Sequence, residues 1–205
     1  YPISGGLHGV GISVVNALSE WTKVIVHRAG HIYEMKFSRG DPIESMTVTG
    51  TANDTGTTVS FLPDAEIFDS IIFSYDTLRS RMRELAFLNK GLTITLTDFR
   101  GDEPHQEIFH YAGGITEFVQ FLNEGKDPIN TSIISFEGEK ERVIVDIAMQ
   151  YQTGYNESMF TFVNDINTVE GGTHLSGFRS ALTRVINDYG RKSGIMKAAD
   201  ENLSG

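Results

Sequence analysis

Apolar positions recur along this chain in two rhythms, and the switches between them mark its elements. Residues 21–28 are rich in β-branched side chains, and residues 31–38 alternate with period two. Ala29-Gly30 separates them, which predicts a tight β-hairpin. Arg39-Gly40-Asp41-Pro42 reads as a second turn before a third strand over 46–49. Asn53-Asp54-Thr55-Gly56 reads as a third turn before a strand over 57–62. An antiparallel meander is the simplest expectation. The rhythm then lengthens. Leu78, Met82, Leu85 and Leu88 fall at helical spacing and predict a helix over residues 75–88, with Gly91 closing it. Arg79, Arg81 and Arg83 lie mostly off that stripe, as a solvated face would. Strands are expected again over 92–97 and 106–111.

Gly113-Gly114 marks the expected domain boundary. Beyond it Ile115, Phe118, Val119 and Leu122 predict a helix. Three strands are expected over 133–136, 143–150 and 158–163. Leu175, Phe178, Leu182, Val185, Ile186 and Tyr189 form one stripe of a long helix starting at Thr173, which is placed as its N-cap. At the other end of the chain, Val10, Val14, Leu18 and Trp21 fall near one face of a shorter helix. No internal repeat, low-complexity tract or metal-spaced His/Asp cluster stands out.

Composition narrows the picture only slightly. The 205 residues are 40% hydrophobic and 21% charged, as in an ordinary globular chain. Seventeen basic residues against 27 acidic ones leave a net charge of −10. That balance argues against an unaided grip on DNA, which needs clustered Lys and Arg against the phosphates. With no cysteine there is neither a disulfide nor a cysteine zinc site. No apolar run is long enough to span a bilayer. A cytoplasmic location and no membrane partner are expected. The chain opens without methionine in the middle of a motif and ends in a polar stretch, so it is read as an internal fragment of a longer polypeptide.

The opening stretch carries the chemistry. Gly5-Gly6-Leu7-His8-Gly9-Val10-Gly11 places four glycines in seven residues and feeds the first helix. A glycine-rich loop at a helix N-terminus presents unpaired N–H groups and the positive end of the helix dipole to an anion. A P-loop requires lysine where Ile12 stands and is rejected. A dinucleotide fingerprint fails because Val14 occupies the third glycine position and no strand precedes the loop. G-x-x-G-x-G with an internal histidine remains, compatible with a phosphate cradle or a simple helix-entry turn.

The longer stretch Ser4-Gly5-Gly6-Leu7-His8-Gly9-Val10-Gly11, with Ser13-Val14-Val15-Asn16-Ala17-Leu18, resembles the ATP-lid segment of the DNA gyrase B family. Two further blocks keep that family's order. Thr55-Gly56-Thr57-Thr58-Val59-Ser60-Phe61 is similar to its T-G-T strand. Gly171-Gly172-Thr173-His174-Leu175 with Gly177-Phe178-Arg179 is similar to its G-G-T-H transducer helix. The resemblance implies an α+β fold: the C-terminal half of a GHKL (Bergerat-type) ATPase α/β sandwich over residues 1–112. A ribosomal-protein-S5-like transducer domain, truncated at its C-terminus, would cover 113–205. It also implies ATP contacts from Tyr1, Gly6, Leu7, His8, Gly9, Val10 and Gly11, with His8 as a donor beside the triphosphate. Thr57 would join the hydrogen bonding around adenine, and Arg28 would stand at the mouth of the pocket where aminocoumarin inhibitors bind. For His174 a structural hydrogen bond at the helix start is expected.

The family's general-base glutamate, Mg²⁺-binding asparagine and adenine-reading D-x-G-x-G aspartate would all precede Tyr1. Its Q-T-K lysine would follow Gly205. Hydrolysis needs a base and a metal, so no residue of this chain is assigned as catalytic or as a metal ligand. The fragment alone is expected not to turn over ATP. Without its preceding half, the first domain is expected to expose a sheet edge and apolar surface. The implied cofactors are ATP and Mg²⁺. The implied partners are the gyrase A-subunit in an A2B2 assembly, a second copy through the ATPase region, and double-stranded DNA. The implied activity is ATP-driven clamp closure that introduces negative supercoils. The B-subunit of topoisomerase IV and a non-catalytic nucleotide-binding module are the alternatives.

Overall fold

The computed structural model describes residues 10–204, which divide into two compact units, 10–155 and 156–204. In the first unit a short helix α1 (Val10–Ala17) leads into a four-stranded antiparallel sheet. Its strands are β1 (Ser19–Arg28), β2 (His31–Ser38), β3 (Asp41–Thr51) and β4 (Gly56–Pro63). Trp21 leaves the expected helical stripe, because the helix ends at Ala17 and Trp21 pairs across the sheet with Leu62. Ala29 and Gly30, and likewise Arg39 and Gly40, take the two positive φ values of a hairpin turn whose twist matches its strands.

The meander holds for three strands only. The sheet order is β3-β2-β1-β4, so β4 returns to lie beside β1, the order of a Greek key. The third strand is also longer than 46–49. It starts at Asp41 and takes in Pro42, which an edge strand tolerates because its N–H is not needed by the ladder. Its pairing with β2 slips at three points.

Helix α2 (Tyr75–Leu88) has the bounds its pattern predicts. Ser74 caps it by accepting from the Thr77 N–H, and Asn89 closes it. The helix lies on a hairpin of β5 (Thr93–Asp98) and β6 (His105–His110), burying Ala86 against Leu96 and Phe109. Phe87, 1% exposed, stacks on Tyr111 at 3.6 Å between ring centroids. It also meets Phe118 at 5.0 Å and Phe121 at 5.7 Å on α3 (Ile115–Leu122). The arginines of α2 are not merely solvated. Arg79 and Arg83 both reach across to Glu107 on β6, and Arg83 lies over the rings of Phe109 and Phe121. Partly buried carboxylates draw in a second cation where the geometry allows bidentate pairing. Arg81 instead pairs along the helix with Glu84.

A further hairpin, β7 (Ile134–Lys140) with β8 (Val143–Met149), turns at Glu141-Arg142 and leaves Phe136, Val143 and Ile144 exposed. In the second unit only Phe162–Val163 of the expected 158–163 strand pairs. This β9 meets β10 (Ile166–Asn167) across an Asn164-Asp165 turn. Thr161 and Thr168 close that hairpin through their hydroxyls. The long helix α4 (Thr173–Lys192) runs three residues past Tyr189, the last residue of its apolar stripe. Its N-cap is Gly172, at φ 151°, not Thr173, which is already helical and makes no capping bond. Asn187 is buried on this helix and binds both the N–H and the carbonyl of Leu203, tying that residue back to the helix. Within α4's apolar stripe, Val185 and Tyr189 stand exposed at 58% and 66%.

Candidate functional site

Of the expected ATP contacts, Tyr1 and the loop residues Gly6, Leu7, His8 and Gly9 lie outside the described residues. The last two members of that loop, Val10 and Gly11, belong to α1. Val10 opens α1 and is exposed, and among the described residues a Cβ on Gly11 would meet nothing within 4 Å beyond its own helix backbone. The first turn of α1 contains no acidic residue, so nothing there opposes an anion at its N-terminus.

The C-terminal end of α1 is fastened to one end of the four-stranded sheet. The Leu18 carbonyl accepts from the Asp64 N–H at 3.1 Å, and Asn16 Nδ2 donates to the Gly40 carbonyl at 3.3 Å. Arg39 reinforces the same corner. Its Nε donates to Asp64 Oδ2 at 2.7 Å, and its Nη2 pairs with Glu66 Oε2 at 2.8 Å. The Asp64 side chain is 4% exposed, so this pairing compensates a buried carboxylate. Those carboxylates keep the Arg39 guanidinium firmly protonated.

Arg28 and Thr57 stand at the other end. Strand register decides their relation. Thr57 lies opposite Val26 across the β1–β4 ladder, and Arg28 is two residues further along β1. Because side chains alternate between faces, Val26, Arg28 and Thr57 share one face, with Thr57 and Arg28 as diagonal neighbours. Val24, Tyr33, Met35, Val59 and Phe61 extend that same face. A hydroxyl and a guanidinium, both exposed, thus border a partly uncovered apolar surface. Such a surface suits a flat heteroaromatic ring with a few polar groups to orient it. The opposite face carries Lys23, Glu34, Lys36 and Glu44 in a chain of ion pairs, as a solvated face does.

One contact at this end is not foreseen from the sequence. His27 Nδ1 donates to Asp54 Oδ1 at 2.8 Å, joining β1 to the connection between β3 and β4. That bond holds the Asp54 carboxyl below the usual carboxylate range. Its trace in the sequence is faint: a polar residue within Val24-Ile25-Val26-His27, and an Asn-Asp pair before Thr55-Gly56-Thr57. In the second unit, His174 Nε2 hydrogen-bonds the Thr168 hydroxyl at 3.0 Å, tying the start of α4 to the hairpin before it. Arg179 is paired with Glu157. Among the described residues no group of three His, Asp or Glu side chains could hold a metal ion, and no helix is long and apolar enough to cross a membrane.

The chain is similar throughout its length to curated gyrase proteins. It is 53% identical to the DNA gyrase B-subunit of Halalkalibacterium halodurans over all of this chain, and spans 32% of that protein. It is 52% identical to the DNA gyrase B-subunit of Clostridium acetobutylicum, over its whole length and 32% of the relative. The chain thus spans about a third of these relatives. Among solved structures, the 43K ATPase domain of Thermus thermophilus gyrase B, crystallised in complex with an aminocoumarin, matches with a TM-score of 0.83. The identity there is 40%, over 96% of this chain and 54% of that one. The gyrase B-subunit of Myxococcus xanthus matches at 25% identity and a TM-score of 0.80, over 92% of this chain and 55% of that one. The family model for DNA gyrase B covers residues 114–205. The α+β arrangement is therefore the one seen in gyrase B ATPase-domain structures. On its sequence and its fold together, the chain belongs to the DNA gyrase B family.

Proposed function

We propose that this chain is part of the ATP-hydrolysing subunit of a DNA gyrase, a type II topoisomerase that closes an ATP-driven dimer clamp and introduces negative supercoils. The observation that carries the reading to the site is the shared face of Arg28 and Thr57 at one end of an apolar sheet surface. Thr57 offers a hydroxyl to the adenine edge, and Arg28 stands at the rim. The glycine loop over residues 5–11 and the N-terminus of α1 receive the phosphates, with Tyr1, Gly6, Leu7, His8 and Gly9 as further contacts. On the resemblance, the Mg²⁺-binding asparagine and the general-base glutamate are assigned to parts of the family's ATPase domain other than this stretch. That the Thermus thermophilus relative was crystallised in complex with an aminocoumarin supports reading the surface bordered by Arg28 as an inhibitor site.

Residues 1–112 are assigned to the ATPase domain and 113–205 to the transducer. The family match starting at residue 114 supports that division. The partners proposed are the gyrase A-subunit in an A2B2 complex, a second copy of this protein, and duplex DNA, in the cytoplasm. The net charge of −10 fits a role in which other parts hold the DNA.

The test is ATP binding by the full-length gene product. Thr57→Ala is expected to weaken ATP about five- to tenfold, the worth of one well-placed hydrogen bond. Arg28→Ala is expected to weaken an aminocoumarin more than ATP. A full-length protein that neither binds nor hydrolyses ATP would overturn the assignment.

A further inference from the structure

The connection between β3 and β4 does an unusual amount in few residues. It carries the chain from one edge of the four-stranded sheet to the other within residues 52–55, passing the end of the β1–β2 hairpin. Two bonds hold it there. The Ala52 N–H donates to the Gly30 carbonyl at 3.2 Å, and His27 holds Asp54 at 2.8 Å. His27 is also the ladder partner of Gly56, the first residue of β4. Backbone pairing at Gly56 and side-chain pairing at Asp54 therefore fasten both sides of Thr55 to one residue of β1. Thr57 is next in line.

We propose that His27 and Asp54 are positioning residues for nucleobase recognition, fixing the connection so that Thr57 enters the sheet face at one height and angle. The proposal rests on Thr57 being an adenine contact. Solvent reaches the pair, at 33% and 72% side-chain exposure. Exposed ion pairs add little to global stability, so overall fold retention is not what this one provides. Its effect is local. It narrows the conformations of a four-residue segment whose last member adjoins the ligand-facing strand, and ordering a binding group in advance lowers the cost of binding.

The experiment is steady-state turnover of ATP and GTP by the full-length gene product assembled with the gyrase A-subunit. His27→Ala and Asp54→Ala are each expected to raise KM for ATP about two- to fivefold with kcat unchanged, the range an exposed pair supports. Both are expected to lower the preference for ATP over GTP by the same factor, with no further loss in the double variant. His27→Gln keeps an amide donor and is expected to restore the preference. Melting temperatures within about 2 °C of the parent exclude general loosening. Should Asp54→Ala fail to fold, Asp54→Gly, which also removes the acceptor, takes its place with the same readouts. An unchanged ATP/GTP preference in variants that bind and hydrolyse ATP normally would overturn this inference and leave the functional assignment standing. Absence of ATP turnover and binding in the parent protein would remove the assignment, and the inference with it.

Discussion

Replacing Phe87 by alanine should cost more than any other single truncation in α2. Its ring is 1% exposed and lies against three other rings: Tyr111 after the β6 strand, and Phe118 and Phe121 on α3. Burying a phenylalanine side chain is worth about 3 kcal/mol at the usual area coefficient. The cavity left behind raises the typical Phe→Ala cost to about 3–5 kcal/mol. Two facing aromatic neighbours push this site toward the upper half, since each stacked pair adds about 0.5–1.5 kcal/mol beyond area. A loss of about 4 kcal/mol should lower the urea midpoint by about 2 M for a slope near 2 kcal/mol/M. Phe87→Leu keeps most of the apolar area but not the stacking, and should lose about half as much. The assay is urea titration of the 205-residue chain followed by far-UV circular dichroism, with near-UV signals reporting the Tyr111 stack. A midpoint shift under about 0.5 M for Phe87→Ala would refute the reasoning. It would mean that α3 is not held to α2 by this ring cluster.

Two other outcomes rest on the packing. Glu107 accepts from Arg79 at 2.6 Å and from Arg83 at 2.8 Å, and Arg79's hydrogen bond is the first cause of its lowered carboxyl titration. A depressed folded-state value means stability that is fully present above the ordinary carboxylate value of 4.5. It is lost as pH falls through the lower folded value. Glu107→Gln should therefore cost about 1 kcal/mol at pH near 7 and progressively less as pH falls below the ordinary carboxylate value, read as melting-temperature differences at neutral and acid pH. An equal penalty at both would contradict the ion-pair account. Gly40 and Gly30 both sit at positive φ, but a Cβ on Gly40 would lie 3.3 Å from the Ala17 Cα, while one on Gly30 would meet nothing within 4 Å. Gly40→Ala should cost about 1–2 kcal/mol more than the roughly 1 kcal/mol of Gly30→Ala, measured by chemical denaturation, because only the former also displaces α1.

The hairpins and α2 are legible in the sequence because their signals are local. Ala29-Gly30 and Arg39-Gly40 sit between alternating runs, and the α2 stripe ends where Asn89 closes the helix. The features that escape the sequence depend on residues far apart. The return of β4 to β1 leaves no local trace, so a meander is the natural expectation. Arg79 and Arg83 are charged and spaced as a surface face would be, and only Glu107 on a different element explains their inward reach. Thr173 has the right side chain for a cap, yet it is already the first helical residue and Gly172 takes the cap position. At the candidate site, Arg28 and Thr57 are named through resemblance. Their shared face comes from strand register, which no spacing along the chain displays.

Strand β3 bears on how this chain behaves among its own copies. Ile43, Met46 and Val48 stand exposed on a strand that, among the described residues, forms the outer edge of its sheet, a pattern that invites another chain to add itself in register. The three slips in its pairing with β2 make that edge an uneven template, and Pro42 removes one donor near its start. An incoming strand would have to match each irregularity to form more than a few consecutive bonds. Straightening β3, for instance by replacing Pro42 with a β-branched residue, should thus promote fibrillar association even where it leaves the monomer's stability intact.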